Sequence, residues 1–280
     1  MSKICTESKW QPLSHDAMQK IFDSVCPRSG KQEKAFYTPK AQNCSRMRRA
    51  LSWLEASEKF PEGTDERFVF LWISFNAAYG DESIRYEEKW DSNLEKHVPK
   101  RIKDWKKFRN FLEKIVGKDK DEILLAVVCE NKGDFAALLK NKYIYRKLWD
   151  WVRDNQKTPF TKKIDVKTWN RQHDHGGEFR AQNLRAMNTM NSRRGKCYSF
   201  EEFLFIIFDR LYTLRNQVVH GGATYKSSFN RDSVDVGGKV LGLLTRAILE
   251  IMLKAMQKNS EEQWGWIAYP PLGPAPRRPS

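Results

Sequence analysis

The chain has 280 residues, 40% of them hydrophobic and 12% aromatic, enough apolar material to bury one large core or two modest ones. Its five cysteines lack the two-residue spacing of a zinc or redox motif, no apolar run of signal-peptide length opens it, and the apolar stretch 240–256 is interrupted by Arg246, Glu250 and Lys254. A soluble cytoplasmic protein with Cys5, Cys26, Cys44, Cys129 and Cys197 as reduced thiols is expected, and its net charge of +15 suits a polyanionic partner.

Residues 1–44 carry Pro12, Pro27, Gly30 and Pro39, show weak periodicity and share in a basic excess: 10 Lys and Arg against 4 Asp and Glu over 1–50. They read as a basic, weakly ordered N-terminal extension. A helical pattern starts at Ser45 with Met47, Ala50, Leu51 and Leu54 and ends near Pro61 and Gly63. A second helix, capped by Thr64 or Asp65, carries Phe68, Leu71, Trp72, Phe75, Ala78 and Tyr79 as its apolar stripe and stops at Gly80. Asn76 within that stripe reads as a buried helix-to-helix hydrogen bond.

Further helical faces follow: Ile102, Trp105, Phe108, Leu112 and Ile115, then Ile123, Leu124, Val127 and Val128, then Tyr143, Trp149 and Val152. Trp53, Trp72, Trp105 and Trp149 fall in these stripes and read as core rather than as base-stacking platforms. From about 155 to 196 the periodicity weakens into a polar, partly irregular insertion. Over 141–200, Lys and Arg number 14 against 5 Asp and Glu. His173 and His175 flank Asp174 in this insertion without a nearby third ligand, so they read as an exposed polar loop and no metal is assigned.

Ser199 and Glu202 have capping-box spacing before a strong helix through Phe203, Ile206, Ile207, Leu211, Leu214 and Val218, which Gly221 and Gly222 end. Asp232 or Ser233 then caps a last helix through Val240, Leu244, Ile248, Ile251 and Leu253, and residues 259–280 form a Pro-rich extended tail whose aromatic part lies against the bundle. No alternating run bounded by turn signals stands out. The predicted class is therefore all-α, a helical bundle over 45–258 with the insertion inside it.

The segment Leu211–Thr224, LYTLRNQVVHGGAT, places Arg215, Asn216 and His220 in the last turns of a helix beside a Gly-Gly exit. Asn216 and His220, four apart, share a face; Arg215 lies about 140° around from His220 and about 7.5 Å along the axis. An imidazole exchanges protons near neutral pH and a guanidinium is a permanent forked donor to phosphate oxygens, a pairing suited to phosphodiester cleavage without a metal. The bare spacing is weak, arising by chance about 0.4 times in such a chain.

The context is more specific. LYTLRNQVVHGGAT with the Asn230–Asp232 turn, together with RFVFLWISFNAAYG (67–80), resembles the Apea-like branch of the HEPN superfamily, and RRALSWLEASEK (48–59) and the Lys142–Tyr143 stretch are similar to it as well. The resemblance spans roughly 45–258. It implies a homodimeric helical bundle in which two Arg-x-x-x-x-His motifs form one composite site, and a cofactor-free, metal-independent endoribonuclease leaving 2′,3′-cyclic phosphate and 5′-hydroxyl ends. Such proteins often act in phage defence or as toxins, with an antitoxin or defence partner protein. Arg215, Asn216 and His220 match the motif, and Tyr225, Lys226, Asn230 and Arg231 in the following loop are candidates for binding RNA. The alternative is a non-catalytic HEPN module that binds RNA or a protein. A DNA-binding regulator is a further rival, although no helix-turn-helix pattern is evident.

Overall fold

The structure, a computed structural model, describes residues 10–26, 38–80, 86–91, 96–101, 104–155, 175–191, 200–222, 224–259, 262, 264, 265 and 267. The class is all-α. The helices are α1 (His15–Val25), α2 (Pro39–Glu58), α3 (Asp65–Tyr79), α4 (Asp104–Lys118), α5 (Ile123–Glu130), α6 (Lys132–Lys140), α7 (Arg146–Asn155), α8 (His175–Asn191), α9 (Phe200–Val219) and α10 (Arg231–Lys258). None among the described residues is long and apolar enough to cross a membrane.

One small exception to the helical plan was not expected. Strands β1 (Tyr86–Asp91) and β2 (Lys96–Arg101) pair antiparallel, with Glu87 opposite Lys100 and Asp91 opposite Lys96 in the register. Seven of these twelve residues are charged, so the period-2 apolar signal that announces a strand is missing.

The chain divides into two compact units, one formed by residues 1–11, 57–72 and 121–244, the other by 12–56, 73–120 and 245–280. In the second unit, the segment expected to be weakly ordered contains α1. The Ser14 hydroxyl caps it by accepting from the Ala17 amide at 3.1 Å, and Met18 and Phe22, four apart, are buried. Cys26, just past α1, is disulfide-bonded to Cys44 in α2, which corrects the reading of both as reduced thiols. Their separation of 18 residues follows no local motif, so only the packing of α1 on α2, with the two Cα atoms 5.7 Å apart, reveals the pair. Cys5 and Cys197 lie outside the described residues.

Helix α2 starts six residues earlier than its apolar pattern. Pro39 occupies the first helical position, and Thr38 Oγ1 accepts from the Ala41 amide at 3.2 Å. The core of this unit joins Met47, Leu51 and Leu54 of α2, Phe75 of α3, Phe111, Leu112 and Ile115 of α4, and Ile248, Met252 and Met256 of α10. Arg46 is wholly buried there. Its guanidinium donates to the carbonyls of Ala78 at 2.9 Å, Gly80 at 2.5 Å and Gly265 at 3.0 Å. Trp264 is buried with its ring edge against Phe111, so the aromatic start of the tail does pack on this core.

The first unit is built around α9, which buries Phe203, Ile206, Ile207, Phe208, Leu211 and Leu214. Phe135 of α6 stacks at a tilt on Phe203 with ring centres 6.0 Å apart. Gly237 of α10 permits close approach: a Cβ there would lie 2.3 Å from Leu214 Cδ2 and 3.7 Å from Phe68 of α3. Within the sequence expected as a polar insertion, α8 forms a 17-residue helix, and Tyr145, Leu148 and Phe179 make a satellite core with it.

Arg210 of α9 crosses that satellite core, wholly buried. It stacks over Tyr145 at 4.2 Å and Phe179 at 5.3 Å and donates to Gln182 Oε1 at 2.7 Å. Burial lowers its pKa to about 10 against the opposing attraction of Asp209, and burial likewise raises the Tyr145 phenol to about 12.

Candidate functional site

The core-facing stripe of α9 ends at Leu214; Arg215 and Asn216 are half-buried, and Val219 and His220 are exposed. The helix leaves through Gly221, whose φ of +71° is the left-handed position that ends many helices. The His220 amide still bonds the Asn216 carbonyl at 3.1 Å, so the two side chains emerge from one final turn. Ser199 of the expected capping box lies outside the described residues.

The three motif side chains converge. Arg215 Nη1 donates to Asn216 Oδ1 at 3.0 Å and lies 2.9 Å from His220 Nε2. The long guanidinium thus closes the angular gap that separates positions five apart on a helix. A guanidinium has no lone pair to offer, so Nε2 is the acceptor and the ring proton sits on Nδ1 in this arrangement. Arg215 Nε is buried with no hydrogen-bond partner among the described residues. The cluster therefore joins an imidazole nitrogen to a guanidinium that keeps an unused donor.

The loop after the motif folds back on the first turn of α3, where Thr64 is the cap: its hydroxyl accepts from the Arg67 amide at 3.3 Å. The Lys226 amide donates to Asp65 Oδ2 at 2.8 Å, with Lys226 itself at φ +56°. Arg231 reaches both Asp65 oxygens and the Gly63 carbonyl, the last at 2.6 Å, and the Tyr225 hydroxyl donates to Glu66. Asn230 Nδ2 donates to Gln217 Oε1 at 3.3 Å. Of the four loop residues singled out from the sequence, Asn230 thus bonds α9 directly, while Tyr225, Lys226 and Arg231 bond the start of α3. Three of their side chains are engaged in holding the loop, and the Lys226 ammonium lies 5.1 Å over the exposed Tyr225 ring.

Asp232 and Ser233 do not cap α10. The helix begins at Arg231 after a 3-10 turn over Ser228–Asn230, and Ser233 Oγ instead accepts from Asn141 Nδ2 at 2.8 Å. Asn141 Oδ1 in turn accepts from the Tyr143 amide at 3.0 Å.

Three further residues border the motif that the sequence did not single out for function. Gln217 Nε2 donates to the Tyr143 carbonyl at 2.6 Å, and Trp149 Nε1 donates to the same carbonyl at 2.5 Å. Trp149 is 37% exposed, as is Trp53, so neither is core; only Trp72 follows the expectation, and the Trp105 side chain lies outside the described residues. Asn76 is half-buried rather than buried, and its carbonyl accepts from the Gly80 amide at 2.9 Å. His173 and Asp174 fall outside the described residues, and His175 opens α8.

Fold and site define a helical protein with an Arg-Asn-His cluster at an open helix end. No protein-family model matches the chain, and neither a curated protein nor a solved structure matches it.

Proposed function

We propose that the chain is a HEPN-type, metal-independent endoribonuclease that works as a cytoplasmic homodimer, in phage defence or a toxin system with a cognate partner protein. The observation that carries this reading is the single Arg215 Nη1 within hydrogen-bond reach of both Asn216 Oδ1 and His220 Nε2. The basic charge, concentrated in 1–50 and 141–200, supports a polyanionic substrate.

His220 Nε2 takes the proton of a ribose 2′-hydroxyl, whose oxygen attacks the adjacent phosphorus. The bond from phosphorus to the 5′ oxygen breaks, that oxygen takes a proton from an imidazolium, and a 2′,3′-cyclic phosphate remains. Arg215 turns its donors to the non-bridging oxygens as their charge grows, and Asn216 orients the guanidinium. In a homodimer the second copy brings its own Arg215 and His220 to the cleft, so one imidazole acts as base and the other as acid. Tyr225, Lys226, Asn230 and Arg231 border the RNA path.

A second reading has its own observation. Arg215 Nη1 is engaged with both Asn216 and His220, as in residues that merely finish a helix, which favours a non-catalytic module binding RNA or a protein. The two readings separate on cleavage of total RNA by wild type and His220→Ala in EDTA, with product ends analysed. Cyclic phosphate ends lost in the variant support the enzyme. Silence of both proteins, with dimers and RNA binding retained, supports the module, and equal cutting by both removes His220 from the site.

A further inference from the structure

We propose that Trp149 and Tyr143 form a stacking platform for an unpaired base of single-stranded RNA beside the Arg215–His220 end of α9. The proposal rests on the reading of this site as directed at RNA. Its starting point is an anomaly of burial: Trp149 is 37% and Tyr143 45% exposed, although large aromatics usually supply the core.

Helix α7 already has a buried side without Trp149. Tyr145 and Leu148 pack with Phe179, and Trp151 and Val152 lie against them, which leaves Trp149 turned outward. The exposed ring is nevertheless held. Its indole N–H is committed to the Tyr143 carbonyl, so the polar edge is satisfied while the apolar body meets water. An aromatic fixed in this way loses little entropy when a base settles on it.

The same carbonyl places the pair beside the motif. Gln217 donates to it at 2.6 Å, and Gln217 precedes His220 by three positions, which makes them neighbours on the helix surface. Charge selects the occupant. The ten residues 140–149 contain Lys140, Lys142, Arg146 and Lys147 and no acid. Arg146 and Lys147 are 61% and 52% exposed; among the described residues Arg146 pairs at 3.9 Å with each of Asp150 and Asp209, and Lys147 meets a half-exposed Glu178. Such surface pairs compete weakly with a phosphate chain. Aromatics interleaved with cations along one strand path fit single-stranded nucleic acid, whose bases stack while its phosphates follow the charge.

The test measures binding of a labelled single-stranded RNA on the His220→Ala background, where it is not cut. Trp149→Phe and Trp149→Leu are compared there, both shown by thermal melting to be folded. Both lose the indole N–H, but only Phe keeps a ring face. The expected result is near-background affinity for Phe and about tenfold weaker binding for Leu. An abasic site walked along the RNA weakens binding to the background protein at one position and has no further effect there on the Leu variant. Equal losses for Phe and Leu assign Trp149 to hydrogen bonding alone, and no loss for either removes the base from this surface; each overturns the platform. If the background protein binds no RNA even at low salt, the platform and the ribonuclease reading fall together. If wild type binds but never cuts while Phe and Leu differ as expected, the platform stands and only the cleavage reading falls.

Discussion

Arg231 Nη2 lies 3.0 and 3.2 Å from the two oxygens of Asp65, joining the first residue of α10 to the first residue of α3. Asp65 also holds the Lys226 amide, so one carboxylate anchors both ends of the segment that follows the motif. Arg231→Ala and Asp65→Ala should each cost about 1 to 2 kcal/mol in denaturant unfolding, because the first strands the buried Asp65 carboxylate and the second the half-buried Arg231 guanidinium. The double variant should cost little more than Asp65→Ala alone. Fully additive losses would show that Arg231 and Asp65 act independently, leaving Arg231 free for substrate.

Acid should loosen the same loop. The Tyr225 hydroxyl, donating to Glu66, is the largest influence holding that carboxyl below its ordinary range. A carboxyl whose pKa is depressed on folding contributes stability at neutral pH and loses it as the pH falls through the folded value, here below the ordinary carboxylate range. The stability curves of wild type and Tyr225→Phe should therefore differ slightly at neutral pH and converge once acid protonates Glu66 in both. A gap that stays constant with pH would mean the hydroxyl contributes something other than this bond.

Gly237→Ala probes the approach of α10 to α9. The added methyl would meet Leu214 Cδ2 at 2.3 Å, and Leu214 is wholly buried, so it must shift within a filled core at about 1 to 3 kcal/mol. Leu214 is the residue before Arg215. On the proposed function, RNA cleavage by the variant should fall more than its remaining folded fraction explains; Leu214→Val in the same background should restore stability by making room.

Thiol counting tests the disulfide. Alkylation of the unfolded, unreduced protein should label no more than three of the five cysteines, with Cys26 and Cys44 protected. Reduction should lower stability by about 3 kcal/mol, as a loop of this length predicts. Labelling of all five before reduction would restore the reading of reduced thiols.

Where local spacing and chain chemistry agree, the sequence is readable. Thr64 and Gly80 bracket α3 as cap and stop, and Gly221 releases α9 just past His220. Pro39 lies in sequence that reads as loop, yet after Thr38 it is a helix start, and that adds the first six residues of α2. The stripe through Tyr143 and Trp149 failed for a different reason. Tyr143 belongs to a 3-10 turn and α7 starts only at Arg146, so the helical period resets and Tyr145 and Leu148 take the buried positions instead. Arg46 and Arg210 were invisible, since nothing local separates a buried arginine from an exposed one. What buries them is distant: carbonyls at 78, 80 and 265 for one, two aromatic rings and an amide for the other.

The three carbonyls around Arg46 give the end of the chain a structural duty. Gly265 supplies one of them, and the Ile267 amide is tied to Gln42 Oε1, so both residues are bonded to side chains of α2. Cutting the chain ahead of Trp264 would take one carbonyl from the buried Arg46 guanidinium and remove the indole that packs on Phe111. A protease that clips ahead of Trp264 would therefore act as a destabiliser of α2.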